Sequence, residues 1–144
     1  MPKVSKTIEV DRSPQSCYAV ITDFEKYSEF LEELLGMKVL EAGDNVWTVE
    51  FTVKVIKKVD YTIKHTGVPG KELQWELVKG FFKKNEGAWV LEALDDGKRT
   101  KITYDIDVEF GRLVPGKIVA SLTEKSLPKM LGSFKARIES VHAD

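Results

Sequence analysis

The chain has 144 residues, the length of one ordinary domain, and we expect a single domain spanning residues 1–144. Its 42% hydrophobic and 31% charged residues are typical of a globular protein and exclude a disordered one. Since 22 basic residues are balanced by 23 acidic ones, no overall charge attracts nucleic acid, and we predict no nucleic-acid partner.

Cysteine and histidine are scarce. Cys17 is the only cysteine, which excludes an internal disulfide framework and a multi-cysteine metal site. His65 and His142 alone make no zinc motif, so we predict neither a metal nor a cofactor. No apolar signal core follows Met1, and no apolar run approaches the ~20 residues that cross a bilayer, so we expect a cytoplasmic protein.

The first part of the chain predicts a strand followed by two short helices. Residues 3–10 alternate imperfectly between apolar and polar side chains, as in a strand. Ser13 is a suitable N-cap, and Pro14 suits the first helical position because its missing amide hydrogen would be unused there. A second short helix is expected to begin at Asp23 and to run through Leu31.

From Gly36 onward the apolar pattern changes from a helical period to a period of two. It predicts six further strands, and because tight turns join several of them, we expect antiparallel pairing. Gly80 to Asn85 is predicted to be a loop. The predicted strands are residues 37–40, 47–55, 59–65, 73–77, 89–91 and 102–110.

Residues 117–141 return to helical spacing and predict one long amphipathic helix. Pro128 removes a backbone hydrogen bond there and crowds the carbonyl of Glu124, so we expect a break near residues 126–127. This helix is the only element long enough to cover the sheet. The sequence therefore predicts an α+β fold, in which a curved antiparallel β-sheet wraps around a long C-terminal α-helix.

Several motifs resemble those of the START-like (SRPBCC) superfamily, in the branch of polyketide cyclases and coenzyme Q-binding proteins. They are Ser13-Pro14 before a helix, the run from Asp23 to Phe30, Gly87-Ala88-Trp89, the hairpin from Gly97 to Tyr104, and the run from Leu127 to Leu131. The resemblance covers nearly the whole chain. It implies a helix-grip fold with an internal cavity for a lipid, an isoprenoid quinone or a polycyclic aromatic molecule.

Apolar and aromatic residues occupy alternate positions along the predicted strands and so share the face of the sheet that points inward. The C-terminal helix contributes two further apolar residues. The same pattern is also compatible with a fully packed core. With the resemblance, we predict that these residues line a cavity: Val49, Phe51, Val53, Tyr61, Ile63, Trp75, Leu77, Trp89, Leu91, Tyr104, Ile106, Val108, Leu122 and Met130.

Three polar side chains on the same face are candidates for chemistry. The hydroxyls of Tyr61 and Tyr104 could orient a ligand oxygen or could be satisfied within the core. His65 shares the parity of Tyr61 and could bond a ligand or act as a base, although a lone histidine is more often structural. No catalytic residue is assigned beyond these three candidates.

The predicted loop carries two adjacent aromatics, Phe81 and Phe82, followed by Lys83-Lys84. We interpret it as a cavity lid, as a contact with a membrane surface, or as a loop that folds back over the sheet edge. Lys57-Lys58 and Lys83-Lys84 lack the density of a nucleic-acid patch.

Three functions remain open from the sequence. The first is non-catalytic binding or transport of a small hydrophobic molecule. The second is an aromatase or cyclase that uses the same cavity, for which few ionisable groups point inward. The third is a protein-interaction role for the rim formed by the helix and the loop.

Overall fold

A computed structural model describes residues 3–54, 57–112 and 114–141, without the side chain of residue 141. Val55, predicted to end a strand, and His142 lie outside the described residues. The elements in chain order are β1 (Lys3–Val10), α1 (Pro14–Ile21), a 3-10 helix (Phe24–Glu29), β2 (Leu34–Gly43), β3 (Val46–Lys54), β4 (Lys58–Val68), β5 (Glu72–Gly80), β6 (Lys84–Leu94), a short 3-10 turn (Asp95–Gly97), β7 (Arg99–Glu109), α2 (Gly116–Ser121), a π-helical segment (Leu122–Ser126) and α3 (Leu127–Val141).

The helix start predicted at Ser13-Pro14 is confirmed. The Ser13 Oγ accepts a hydrogen bond from the Ser16 amide at 3.2 Å, and Pro14 occupies the first helical position. The second short helix is also present, but it is a 3-10 helix rather than an α-helix. These two elements bring Phe24 and Tyr27 into the core.

The strands form one sheet in the order β1-β7-β6-β5-β4-β3-β2, and every neighbouring pair is antiparallel. Register shifts between Leu34 and Gly36 and between Val39 and Glu41 interrupt the β2–β3 pairing. Such bulges increase the twist of a strand, which helps the sheet to curve. The predicted α+β fold, a curved antiparallel sheet around a long C-terminal helix, is confirmed.

The pairing of β5 with β6 is short. It runs from Glu72 to Trp75 on β5, and towards the connecting loop β5 keeps its pairing with β4 while β6 keeps its pairing with β7. The loop predicted from Gly80 to Asn85 is therefore too long. Gly80 still belongs to β5 and Lys84 already belongs to β6, because each strand continues on the partner that remains beside it.

The break predicted in the C-terminal helix is present but takes the form of a π-helical segment. The Leu127 amide bonds the Leu122 carbonyl, five residues earlier, so the segment begins well before the predicted position at residues 126–127. Pro128 has no amide hydrogen to continue the ordinary four-residue pattern. The wider π-helical turn therefore lies immediately before the proline whose amide donor is missing.

The C-terminal helix packs closely at one end only. On α3, Leu131, Phe134 and Ile138 are at most 2% exposed. By contrast, α2 and the π-helical segment contribute no buried residue. The helix therefore fills the concave face of the sheet beneath α3 and leaves space beneath the segment that precedes it.

No helix in residues 3–54, 57–112 and 114–141 is long and apolar enough to cross a membrane.

Replacing Phe134 with Ala tests this packing. The Phe134 ring lies 4.9 Å from the Trp89 ring and 5.2 Å from the Tyr27 ring, and it is 1% exposed. We expect Phe134→Ala to lower the free energy of unfolding in urea by about 3 to 5 kcal/mol, because it removes a large buried side chain. The neighbouring exposed Lys135→Ala should change it by less than about 0.5 kcal/mol. Equal effects of the two variants would contradict this assignment of the core.

Candidate functional site: an apolar cavity

An apolar cavity of about 320 Å³ lies between the concave face of the sheet and the C-terminal helical region. Its helical wall comes from the π-helical segment, which has no buried residue, and from Leu127, Met130 and Phe134 on α3. The predicted residues that line it are Phe51, Val53, Tyr61, Ile63, Trp75, Trp89, Tyr104, Ile106, Val108, Leu122 and Met130. Ligand binding by these residues stays a prediction.

Three residues predicted to line the cavity do not. Val49 and Leu91 are 0% and 8% exposed and belong to the packed core, and Leu77 packs against that core. Alternation specifies the face of a strand but not the position along it. The cavity occupies the end of the concave face near the β3–β4 and β5–β6 connections, and the other end is filled by α1 and α3.

Aromatic rings form much of the cavity wall. Tyr104 lies between Trp75 and Trp89, with ring centroids 5.3 Å and 4.7 Å away. On the opposite side, the centroids of Phe51 and Tyr61 are 5.7 Å apart. These separations are in the range of favourable aromatic pairs, so the rings hold each other in place and leave a shaped apolar surface for a ligand.

Two wall residues carry hydroxyls without a protein partner. Within the part of the chain that the structure describes, the hydroxyls of Tyr61 and Tyr104 make no hydrogen bond. Burial raises the pKa of Tyr61 to about 12 and raises that of Tyr104 as well. Both phenols are therefore protonated at neutral pH and are available as hydrogen-bond donors.

His65 also lines the cavity and is 4% exposed. Its Nδ1 is buried and has no hydrogen-bond partner among the described residues. The ring is enclosed by aromatics, with the Phe24 centroid 4.4 Å away, and burial lowers the pKa of His65 to about 4. The imidazole is thus neutral at neutral pH, where it can share a hydrogen bond but is a weak base.

Asn85 is a polar cavity residue that the sequence interpretation missed. It is 6% exposed, and its Oδ1 accepts a hydrogen bond from the Trp75 Nε1 at 3.0 Å across the gap between β5 and β6. No other hydrogen bond to the side-chain amide of Asn85 is found in the described ranges. The signal was present, because Asn85 shares the parity of Trp89, but residues 80–85 were interpreted as a loop.

The two loop phenylalanines have different positions. Phe82 lines the cavity, with its ring 4.9 Å from Tyr61 and 5.3 Å from Phe110. Phe81 is half-buried, packs on Phe82 at 5.4 Å and does not line the cavity. Gly80 makes this arrangement possible: its φ is +125°, and a Cβ there would lie 2.5 Å from the Tyr61 Cα.

The side chains that cover the cavity were also missed by the sequence interpretation. Tyr27 and Leu31, from the 3-10 helix and the turn after it, and Phe134 from α3 all line it. The Tyr27 hydroxyl donates to the Ile21 carbonyl and is therefore not free for a ligand. They lie on segments that the sequence predicts as helices, but a helical pattern does not show which part of the sheet a helix will cover.

The cavity wall is mainly apolar and carries few ionisable groups. No group of three or more His, Cys, Asp or Glu side chains among the described residues could hold a metal ion. Glu33 and Lys54, two charged lining residues, belong to the end of the cavity near the β3–β4 connection, and Glu33 also lies 3.7 Å from Lys129. The arrangement can enclose a neutral apolar molecule and offer it a few hydrogen bonds.

The buried imidazole predicts a specific pH dependence of stability. The pKa of His65 is about 4 in the folded protein against 6.5 for an ordinary histidine. Between these values the unfolded chain binds more protons, so folding stability falls as the pH falls from 6.5 to 4. We expect wild type to lose about 3 kcal/mol more than His65→Phe over this interval. Urea unfolding at each pH measures the difference, and parallel pH profiles for the two proteins would contradict it.

Comparisons with known proteins agree with this architecture. The curated ribosome association toxin RatA of Vibrio cholerae is 29% identical over 150 residues, covering 100% of both chains. A START superfamily protein from Mycobacterium smegmatis superposes with a TM-score of 0.83 at 23% identity, covering 97% of this chain and 99% of that one. The Zhui aromatase/cyclase from Streptomyces sp. R1128 superposes with a TM-score of 0.82 at 18% identity, covering 99% and 96%.

These structural likenesses establish the helix-grip fold that the sequence motifs implied. The family described as "Polyketide cyclase / dehydrase and lipid transport" matches residues 10–135, nearly the whole of the sheet and helix that enclose the cavity. With that match, the chain belongs to the polyketide cyclase / dehydrase and lipid transport family.

Proposed function

We propose that this protein binds a small, neutral, hydrophobic molecule in its cavity and carries it without chemical change. The proposal rests on an apolar cavity of about 320 Å³ whose wall carries the Tyr61 and Tyr104 hydroxyls, which make no hydrogen bond among the described residues, and His65, whose buried Nδ1 has no partner there. A polar atom buried without a partner is costly, so His65 Nδ1 indicates a site completed by something else, and the two hydroxyls that face the cavity can bond what enters it.

The size of the cavity limits the ligand. A volume of about 320 Å³ is at the small end of ligand pockets, which suits a compact ring system better than a whole lipid. A ligand that buries about 300 Å² of apolar surface would gain roughly 7 kcal/mol, before the cost of losing its freedom of motion. Among the expected classes, a polycyclic aromatic molecule or the ring of an isoprenoid quinone fits this volume best.

The ionisation of the polar groups favours binding over catalysis. An aromatase or cyclase needs groups that exchange protons near neutral pH. His65 has a pKa of about 4 and the two phenols have raised pKa values, so all three keep one protonation state there. We therefore place the aromatase or cyclase alternative below the carrier.

Ribosome association is a second candidate function. It is favoured by the full-length similarity to proteins named ribosome association toxin, including the one from Vibrio cholerae at 29% identity. In this proposal the outer surface of the domain contacts the ribosome, and the cavity has a separate role. Co-sedimentation with purified ribosomes is its direct test, and a protein that stays at the top of the gradient would contradict it.

Filling the cavity tests the proposed carrier function. Val53 lines the cavity, whereas Val90 on β6 is 41% exposed. We expect Val53→Trp to lower the affinity for the neutral fluorescent probe N-phenylnaphthylamine by about tenfold or more, since the indole occupies the ligand volume. Val90→Trp, the matched control, should bind as wild type does. Unchanged binding in a folded Val53→Trp protein would contradict the assignment of the site.

The polar groups predict a preference between two ligands of the same shape. Menadione and methylnaphthalene share a methylated ring system, but only menadione carries carbonyls. We expect Tyr61→Phe and Tyr104→Phe each to weaken menadione binding by about threefold to tenfold, the value of one hydrogen bond, and to leave methylnaphthalene binding unchanged. Calorimetry or probe displacement measures both affinities.

The control for this comparison is Tyr18→Phe. The Tyr18 hydroxyl donates to the Asn45 Oδ1 at 2.7 Å, and Tyr18 does not line the cavity. Its loss should not change the preference between the two ligands. Equal losses for both ligands in Tyr61→Phe and Tyr104→Phe would assign these residues to packing rather than to orientation.

A further inference from the structure

Three chain segments meet at the open end of the cavity and form a surface that we call the rim. It comprises residues 54, 57–58, 81–83 and 110–112. The Phe81 amide bonds the Asp60 carbonyl at 3.1 Å, and the Lys83 amide bonds the Glu109 carbonyl at 2.9 Å. The β5–β6 loop is therefore tied to β4 on one side and to β7 on the other.

The rim is strongly basic. It contains five cationic side chains, and all five are exposed: Lys54, Lys57, Lys58, Lys83 and Arg112. No ion pair to any of them is found in residues 3–54, 57–112 and 114–141. Because the whole chain carries 22 basic and 23 acidic residues, the rest of the molecule is acidic.

Three carboxylates lie beside the rim, those of Asp60, Glu109 and Glu33. The Asp60 Oδ1 accepts a hydrogen bond from the Thr52 hydroxyl at 2.6 Å, and Glu33 is 3.7 Å from Lys129 on the helical side. No ion pair between these carboxylates and a rim cation is found among the described residues. The rim cations outnumber these neighbouring carboxylates, so a net positive charge is available to an external anionic partner.

Aromatic side chains lie between the cations. Phe82 contacts Phe81 and Phe110, with ring centroids 5.4 Å and 5.3 Å away, and all three rings are half-buried. In the strand order, Lys57 and Lys58 at the start of β4 lie to one side of the loop that carries Phe81 and Phe82, and Phe110 and Arg112 after β7 lie to the other. Apolar rings flanked by lysine and arginine are typical of segments that sit at a lipid–water interface.

We propose that the rim docks on an anionic lipid surface, with the Phe81–Phe82–Phe110 cluster in the interface and the cations against the lipid phosphates. Charge complementarity and the position of the cavity mouth support this partner. Lys54, Phe82 and Phe110 belong both to the rim and to the cavity wall, so a docked protein faces this end of the cavity towards the bilayer. The inference extends the proposed function, because a hydrophobic ligand would then enter without crossing water.

A bilayer fits these observations better than RNA does. Single-stranded nucleic acid is bound by a positively charged groove that follows the backbone. Here the cations are divided between two sides of an apolar cluster, and the mouth of the cavity opens between them. That pattern matches a flat surface with anionic groups above an apolar layer.

Vesicle co-sedimentation tests the proposal. The vesicles are phosphatidylcholine alone, or with about one third phosphatidylglycerol, at low and at physiological ionic strength. The rim variant is Lys57→Ser/Lys58→Ser/Lys83→Ser. The matched control, Lys38→Ser/Lys64→Ser/Lys71→Ser, removes the same charge from exposed lysines outside the rim. Binding of N-phenylnaphthylamine in solution is measured for every protein.

We expect wild type and the control to bind the anionic vesicles and not the neutral ones. Their binding should be weaker at the higher ionic strength. The rim variant should bind about 100-fold more weakly, at roughly fivefold for each lysine. Phe81→Ser should also weaken binding. Probe binding in solution should be the same in all four proteins, because none of the changed residues lines the cavity.

Three outcomes would overturn the proposal: no binding of wild type to anionic vesicles, an equal loss in the rim variant and the control, or rim-dependent binding to purified ribosomes with none to vesicles. If vesicle binding fails while the probe still binds, the carrier function stands without this docking surface. If the vesicles bind but the probe does not, the docking surface stands and the carrier function fails.

Discussion

One helix covers the curved sheet unevenly, and this uneven packing determines where the cavity lies. Seven antiparallel strands present a concave apolar face, and the C-terminal helix is the long element that crosses it. Leu131, Phe134 and Ile138 on α3 fill one end of that face. The π-helical segment ahead of Pro128 changes the turn of the helix, and neither it nor α2 places a buried side chain in the core. The cavity is the volume that this uneven covering leaves.

The same constraint explains why the cavity contains unpaired polar groups. Where α3 packs on the sheet, the Tyr27 hydroxyl donates a hydrogen bond to the Ile21 carbonyl and is satisfied within the protein. Beneath the π-helical segment no protein group reaches the hydroxyls of Tyr61 and Tyr104 within the described residues. The Asn85 Oδ1 accepts a hydrogen bond from the Trp75 Nε1 where β5 and β6 separate, and no other hydrogen bond to its side-chain amide is found among the described residues. Polar groups that cannot reach each other through an apolar cavity are available to orient a ligand within it.

Much of the fold could be predicted from the sequence because its signals are local. Alternation identified the strands, and Ser13-Pro14 and Pro128 marked the start of α1 and the break in the last helix. The remainder depends on contacts distant in the chain. Val49 and Leu91 have inward parity yet lie at the filled end of the sheet, and Asn85 was missed because the length of β6 depends on its pairing with β7. The basic pairs at residues 57–58 and 83–84 looked unrelated until the sheet placed Lys57, Lys58 and Lys83 on one rim.

The family match and the relatives named ribosome association toxin cover the same fold, over residues 10–135 and over the whole chain. The cavity is lined mainly by apolar side chains, whereas the cations of the rim are exposed on the outer surface. Because the cavity and the rim share few residues, a ligand inside and a partner outside are physically compatible.

Native mass spectrometry of the protein purified without detergent, followed by solvent extraction, tests whether the cavity holds a ligand. We expect an added mass on the folded protein that is released by the solvent, is neutral and hydrophobic, and is absent from the cavity-filled Val53→Trp variant. Protein of bare chain mass from every expression host, together with a crystal structure in which side chains fill the space between the sheet and the π-helical segment, would contradict it.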